Sequence, residues 1–404
     1  MSIRILFVDD EPLLLSGLQR SLRPLRKEWL ATFAVGGVEA LEALAREPFD
    51  VVVTDMRMPG MDGAALLHEV MRLYPDMLRL VLSGQSDLES VVKSAGVTHQ
   101  YLSKPCSIGA LKDAVNRAVS LHELLDDSSL KQLLSRLRSI PSVPPLYVEL
   151  MQCVKSNEAS IEKVSAIIQK DMGMSAKVLQ LANSALGMSG RIASTADTVV
   201  YLGLDAIRTL LVTLHAFSEF QPTEASNFCL QGLWRHSLAT GELAERIIQT
   251  LPADSGAHGQ MRMIGLLHHV GRLVLAANLP ENFERASQLA AEKKIPPWGA
   301  EREVFGATHA EVGAYLIGLW GLPEQIVEAV AYHHAPVNCP HPGSAMLTAL
   351  HVADCLATAH SGYDAALHHP EPDLEYLSSM ELAGRLPEWR ELALHIDAEE
   401  VLCG

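Results

Sequence analysis

Four short apolar runs near the start of the chain each end on a polar residue. Ile3–Val8 meets Asp9-Asp10, and Asp50–Thr54 meets Asp55. Leu78–Leu82 meets Ser83, and Gln100–Leu102 leads to Lys104-Pro105. Runs this short and this apolar read as strands buried on both faces. Trp29–Ala34 reads as a further, weaker strand. Amphipathic segments at Leu13–Leu22, Gly37–Ala45, Gly63–Leu73 and Ser86–Ala95, and one beginning at Ile108, have helical spacing. Strand and helix alternate, so an α/β doubly wound sheet of five parallel strands is expected. The C-terminal edge of such a sheet is where ligands bind. Asp9, Asp10, Asp55, Ser83 and Lys104 all fall on that edge.

The pattern then changes. The helix from Ile108 continues past His122 to about Arg138, carrying Leu121, Leu124, Leu125, Leu130, Leu133, Leu134 and Leu137. It reads as a semi-rigid helical linker whose leucines form either a homodimer seam or the face of a surface helix packed on one domain. Ile140-Pro-Ser-Val-Pro-Pro145 is a boundary signal. Beyond it no segment reads as strand. Helical spacing covers Leu146–Lys155, Ile161–Lys170, Met174–Ala185, Ala196–Leu202, Leu204–Phe220, Leu230–Thr250 and Arg262–Ala277. It recurs in Pro280–Glu292, Thr308–Leu319, Pro323–Tyr332, Ser344–Thr358 and Met380–Leu386. The expected organisation is an α/β domain over 1–122, a linker over 123–139 and an all-α domain over 140–404.

Charge and histidine divide the same way. The whole chain carries a net charge of −16. Residues 1–122 hold 13 basic and 15 acidic residues, a net of −2, and residues 123–404 hold 19 and 33, a net of −14. DNA-binding domains present a basic face, so the second part is not expected to bind DNA. Of the 17 histidines, 14 lie in that second part, which makes it the place to look for a metal. The six cysteines form no C-x-x-C pair and no disulfide framework. With no signal peptide and no apolar stretch of about 18 residues, a cytoplasmic protein with no membrane partner is expected.

Three carboxylates on one edge repel one another, so a divalent cation such as Mg²⁺ is expected among them. Lys104 supplies a cation and Ser83 a hydroxyl. These are the parts needed to move a phosphoryl group onto a carboxylate. The stretches ILFVDDEP, VVVTDMRMPGMDG, LVLSGQSD and YLSKP resemble the receiver domain of bacterial two-component response regulators, over about residues 2–121. That resemblance implies a flavodoxin-like strand order and a histidine kinase as partner. It implies Asp55 as phosphoacceptor. Mg²⁺ would be held by Asp10, Asp55 and the backbone carbonyl of Arg57, with Asp9 acting through water. Ser83 would bind the incoming phosphoryl group, Lys104 would pair with the phosphoaspartate, and Tyr101 would be the aromatic switch.

In the second part, Ile140-Pro-Ser-Val-Pro-Pro-Leu, Ile168-Gln-Lys-Asp-Met-Gly-Met-Ser and Leu181-Ala-Asn-Ser-Ala resemble the HDOD domain. So does Ala196-Asp-Thr-Val-Val-Tyr-Leu-Gly-Leu. HDOD domains are helical signalling relatives of HD phosphohydrolases, and the likeness runs over about 138–355. It implies an interaction module with a protein as its output partner. His236, His268-His269, His309, His333-His334 and Asp354 follow the order of the two-metal HD pattern, and His351 shares a helical face with Asp354. Neutral imidazoles and a carboxylate suit a transition metal. Three departures stand out. His269 occupies the doublet position where active enzymes carry Asp, and Arg272 stands where Lys is usual. The Gly-Tyr-Pro signature of cyclic-dinucleotide phosphodiesterases is missing after His309. Three readings follow: a non-catalytic signalling module, a metal bound without hydrolysis, and a receiver-gated phosphohydrolase. Taken singly, His236 and His309 are expected to bond backbone carbonyls in a core, and His360, His368 and His369 to be solvated.

Overall fold

The computed structural model describes residues 2–84, 97–104, 106–123, 140–142, 150, 153, 160–176, 178–179, 197–200, 217–219, 230–252, 260–319, 322–361 and 371–396. The expected helix at Ser86–Ala95, the linker at 123–139 beyond Glu123, and most of Leu146–Lys155 and Leu204–Phe220 lie outside these residues. So do residues 362–370 with His368 and His369, and the side chain of His360.

The first part is a parallel α/β sheet. Strands β1 (Ile3–Asp9), β2 (Trp29–Val35), β3 (Val51–Asp55), β4 (Leu78–Gly84) and β5 (Gln100–Lys104) run in the order β2-β1-β3-β4-β5. Helices α1 (Pro12–Ser21), α2 (Gly37–Arg46), α3 (Gly63–Leu73) and α4 (Ile108–Glu123) connect and flank them. Ile5, Leu6, Val51, Val52, Val53, Leu80 and Val81 are fully buried. Burial of successive residues means both sheet faces are covered, which is why these strands read as continuous apolar runs. The parallel order brings the ends of β1, β3 and β5 to one edge.

Among its described residues, the second part is helical apart from one strand pair. β6 (Ile140–Ser142) and β7 (Phe217–Glu219) form a short parallel ladder, Ile140 opposite Phe217. This corrects the expectation of a domain with no strand. Three residues are too few to show a period of two, and the partner lies 77 positions away. The helices are α5 (Ile161–Ile168), α6 (Leu230–Ile248), α7 (Met261–Leu267), α8 (Val270–Asn278), α9 (Pro280–Lys293) and α10 (Pro297–Phe305). They continue as α11 (His309–Leu319), α12 (Glu324–Tyr332), α13 (Ala345–Ser361), α14 (Leu374–Ser379) and α15 (Leu386–Leu394). Three further differences from the sequence reading appear. The segment at Arg262–Ala277 is two helices, broken at His268-His269. α10 was not expected. The segment expected as a helix at Met380–Leu386 is instead the link between α14 and α15, with a 3-10 turn at Ala383–Arg385, and α15 begins at its last residue, Leu386.

The two parts touch. α4 packs against α11. Leu111, Ala114 and Val115 belong to an apolar cluster that also holds Ile5, Val51, Val312 and Leu316. Tyr315 of α11 is fully buried. Its hydroxyl feels the charges of Arg79 and Asp76, and burial pushes it up out of the ordinary phenol range. Arg79 is itself buried, which lowers its guanidinium to about 10. Its nitrogens donate to the carbonyls of Pro75, Met77 and Val97. No helix among the described residues is long and apolar enough to cross a membrane.

Candidate functional site

The edge of the sheet gathers the residues expected there. Asp9 closes β1 and is buried; Asp55 closes β3 and is half-buried. Lys104 closes β5, and its ammonium donates to Asp9 Oδ2 at 2.9 Å and to Asp55 Oδ1. Burial alone would lower the Lys104 ammonium, but its bonds to Asp55 and Asp9 outweigh that and raise it. The other oxygen of Asp55 accepts the Arg57 backbone N–H at 2.9 Å, and Asp9 Oδ1 accepts that of Glu11 at 2.9 Å. Asp10 is half-buried beside Asp9. Gly63 holds the edge together. A Cβ there would lie 2.2 Å from the Asp55 carbonyl oxygen, so only glycine lets α3 start against β3. Asp62 caps that helix by accepting the Ala65 N–H at 2.7 Å. Ser83 sits on β4 opposite Ser103, and Tyr101 sits on β5 opposite Val81. Their side chains lie outside the described residues.

The second site is a cluster of histidines inside the helical part, built from five places. α6 brings His236, the α7–α8 junction His268 and His269, the start of α11 His309, the end of α12 His333 and His334, and α13 Asp354. Successive residues on a helix point about 100° apart. His268 and His269 nevertheless stack with ring centroids 3.8 Å apart. The break between α7 and α8 makes that possible, and Gly265 and Gly271 frame it. A Cβ on Gly265 would lie 2.2 Å from Gly241 Cα, and one on Gly271 would lie 2.1 Å from the His309 carbonyl oxygen. The doublet is therefore held where helices meet backbone to backbone.

Among the described residues, candidate ligand atoms form two sets, His269/His309/His333/His334 and His236/His268/His269/Asp354, each with its atoms within 4.8 Å of one another. His236, His268, His269, His309, His333 and Asp354 are buried. His334 reaches furthest toward the surface, and Trp298 lies flat upon it at 3.8 Å and 9°. Asp354 Oδ1 lies 2.9 Å from His236 Nε2, 3.3 Å from His268 Nε2 and 3.9 Å from His269 Nε2. Its Oδ2 lies 3.4 Å from His334 Nδ1. Burial would raise the Asp354 carboxyl, but its hydrogen bond with His236 outweighs that and holds it well below the carboxylate range. Burial, together with neighbouring histidines, holds His269 and His334 well below the ordinary histidine range. Burial does the same to His333.

Proton placement in this cluster is dictated by acceptors. A carbonyl oxygen can only accept, so His268 Nδ1–H donates to Gly265 O at 2.5 Å and His333 Nδ1–H to Val330 O at 2.7 Å. His309 Nδ1–H donates to the Glu301 carboxylate at 2.6 Å. In the neutral imidazole the other nitrogen is then a bare lone pair. His268 Nε2 faces the Asp354 carboxylate, and His309 Nε2 faces His334 Nε2 at 2.9 Å. His333 Nε2 is buried with no hydrogen-bond partner among the described residues. Lone pairs turned toward one another and toward a carboxylate repel unless a cation joins them. Outer carbonyls and a carboxylate that fix the ring tautomer are the usual surroundings of metal-bound histidine.

His351 does something else. Its Nδ1–H donates to the His333 carbonyl at 2.7 Å, and its Nε2 accepts the Asp373 N–H at 2.9 Å. Both ring nitrogens are engaged by backbone, so it holds His333 in place instead of lining the cluster. His351→Ala strands one buried and one half-buried backbone group. It should cost about 2–4 kcal/mol of stability in urea unfolding. A cost under about 1 kcal/mol would show the clamp to be dispensable.

The expectation that His236 and His309 are core residues bonded to backbone carbonyls is corrected. Each bonds a buried carboxylate, Asp354 and Glu301 respectively. Sequence reasoning missed Glu301 and Trp298 with the whole of α10. Its Pro297 at the first helical turn was the one available signal.

Two family models match the chain. The response regulator receiver domain covers residues 5–116, and the HDOD domain covers residues 140–336. The chain is a receiver–HDOD protein. Among curated relatives, an uncharacterized protein of Treponema pallidum (strain Nichols) is 28% identical over 281 residues, 69% of this chain and 50% of that protein. The hydrogenase transcriptional regulatory protein HoxA of Cupriavidus necator is 36% identical over 126 residues, 30% of this chain and 25% of that protein. The chain thus spans half or less of these two relatives. Among solved structures, the MmoQ response regulator of Methylococcus capsulatus str. Bath is 22% identical with a TM-score of 0.49, covering 63% of this chain and 98% of that one. A receiver domain joined to an HDOD domain fits a response regulator.

Proposed function

We propose that this receiver–HDOD protein is switched by phosphorylation of Asp55 and passes the change to an interaction surface of its HDOD half. The observation that carries this reading is the Lys104 ammonium shared by Asp9 and Asp55 at the C-terminal edge of the sheet. A carboxylate oxygen of Asp55 attacks the phosphorus of a phosphohistidine on a partner kinase. The P–N bond breaks, its electron pair returns to the imidazole, and an acyl phosphate forms on Asp55. Asp9, Asp10, Asp55 and the Arg57 carbonyl are the oxygens that would hold Mg²⁺, which shields the transferring charge. Lys104 then exchanges its bond to the Asp55 carboxylate for one to the phosphoryl group. Ser83 and Tyr101, on adjacent strands, are the switch pair in this reading. The partners are a histidine kinase, an output protein, and a second copy of the chain through the leucine-rich linker segment that follows α4. Neither matching family is a DNA-binding module. The test is beryllofluoride with Mg²⁺ on the full chain, read by sedimentation and small-angle scattering. A change in association or domain arrangement supports the reading. Identical profiles with and without beryllofluoride would remove it.

A specific observation favours a second property, a transition-metal centre in the HDOD half. It is the convergence of Nε2 lone pairs from His268, His309 and His333, each fixed by an outer acceptor, upon Asp354 and His334. The donors are nitrogen with one carboxylate, a set suited to Zn, Fe or Mn. The phosphohydrolase reading gains nothing from the geometry. His269 presents an imidazole nitrogen with one lone pair where a bridging carboxylate would be needed. Elemental analysis of the purified chain should find a bound transition metal, and cyclic-di-GMP with added Mn²⁺ or Fe²⁺ should show no turnover. Metal-free protein that takes up none on titration would end the metal reading. Turnover would restore the enzyme.

A further inference from the structure

Glu301 is 2% exposed. One oxygen, Oε2, accepts two N–H groups of a single residue, the backbone N–H of His309 at 2.8 Å and its ring Nδ1–H at 2.6 Å. The other oxygen lies 3.6 Å from Nε of Arg272, which is itself buried and stands over the Phe283 ring at 5.6 Å. Burying a carboxylate with a guanidinium is expensive in desolvation and rarely adds stability over an apolar pair.

A simple account would make Glu301 the cap of α11. That helix already has one. Thr308 Oγ1 accepts the Glu311 N–H at 3.2 Å, and Glu311 accepts the Thr308 N–H at 2.9 Å. This reciprocal pair is a complete capping box. What Glu301 adds is orientation. It pins the proton of His309 on Nδ1, aims Nε2 at His334, and makes that nitrogen a stronger donor by pulling on the opposite N–H.

We propose that Glu301, balanced by Arg272, is the positioning residue that makes His309 a metal ligand through Nε2. The set completed is His269, His309, His333 and His334, an all-nitrogen site for a divalent ion of intermediate softness. The inference rests on the metal reading above and names the residue that builds this half of it.

The probe is Co²⁺ alone, added to the full-length chain freed of metal. It is read by its visible bands and by competition with a chelator. Wild type should bind and show bands of a nitrogen-rich site. Glu301→Gln keeps the shape and removes the charge. It should weaken Co²⁺ binding about 10- to 100-fold and shift the bands. Glu301→Asp, which keeps the charge at a shorter reach, should fall between, and it serves if the glutamine variant does not fold. Thr308→Ala removes the cap alone and should lower the melting temperature while leaving Co²⁺ affinity within about twofold. Equal weakening by Glu301→Gln and Thr308→Ala would reduce Glu301 to a helix-end group and overturn the proposal. Unchanged affinity and bands in Glu301→Gln would overturn it as well. Wild type that binds no Co²⁺ would instead bring down the metal reading beneath it.

Discussion

Asp55→Asn should abolish phosphoryl uptake altogether. The neutral amide oxygen is a poor nucleophile, and an oxygen of the proposed divalent-cation site loses its charge. The variant should still fold. Asp55 sits at a strand end, half-buried, and the amide oxygen can take the Lys104 ammonium and the Arg57 N–H in turn. The measurement is labelling by acetyl phosphate with Mg²⁺, followed on a phosphate-affinity gel. Wild type should shift and Asp55→Asn should not, at matched circular dichroism. Equal labelling of both would move the phosphoacceptor elsewhere.

The second large effect is expected at Gly271. A methyl there would lie 2.1 Å from the His309 carbonyl oxygen and 2.7 Å from the Gly313 nitrogen. Both are backbone atoms of α11, so no rotamer change relieves the clash. Gly271→Ala must push α8 off α11, which costs about 3 kcal/mol or more. The displacement also separates His268-His269 from His309, so any metal affinity should fall with the stability. Gly299 supplies the contrast on the neighbouring helix. Its nearest neighbour to an added Cβ is the Ile295 Cδ1 at 3.7 Å, an ordinary contact. Gly299→Ala should stabilise by about 0.5–1 kcal/mol, because alanine has fewer unfolded conformations to lose. Paired urea unfolding curves check both signs. Similar midpoints for the two variants would mean that the helices yield more easily than their backbone contact implies.

These sites differ in how visible they are in a sequence. The receiver edge is legible because each part is local: an apolar run buried on both faces, then one polar residue where the strand stops. Asp9, Asp55 and Lys104 needed only that rule to be placed on one edge. The histidines were legible as residue types and order, but not as geometry. Whether His309 faces a carbonyl or a cluster depends on Glu301, which lies on a helix whose charged sequence, Glu301-Arg302-Glu303, looks like a solvated face. A buried carboxylate contradicts the apolar pattern by which buried faces are read, so α10 and its glutamate stayed hidden together. The break at His268-His269 was hidden for a related reason. No glycine or proline interrupts the doublet itself, and the helices part there because the flanking glycines let their neighbours press close.

Helix α11 connects matters that the family names keep apart. His309 and Tyr315 stand six residues apart on it, about 9 Å along the axis at 1.5 Å per residue. One belongs to the histidine cluster, and the other is buried within reach of Arg79 and Asp76 of the receiver. An α-helix of this length transmits a shift as a rod, with little lost to bending. Free-energy coupling between two ends of such a rod is reciprocal. Any coupling between the receiver's contact at Tyr315 and a ligand held at His309 would therefore act with equal size in both directions.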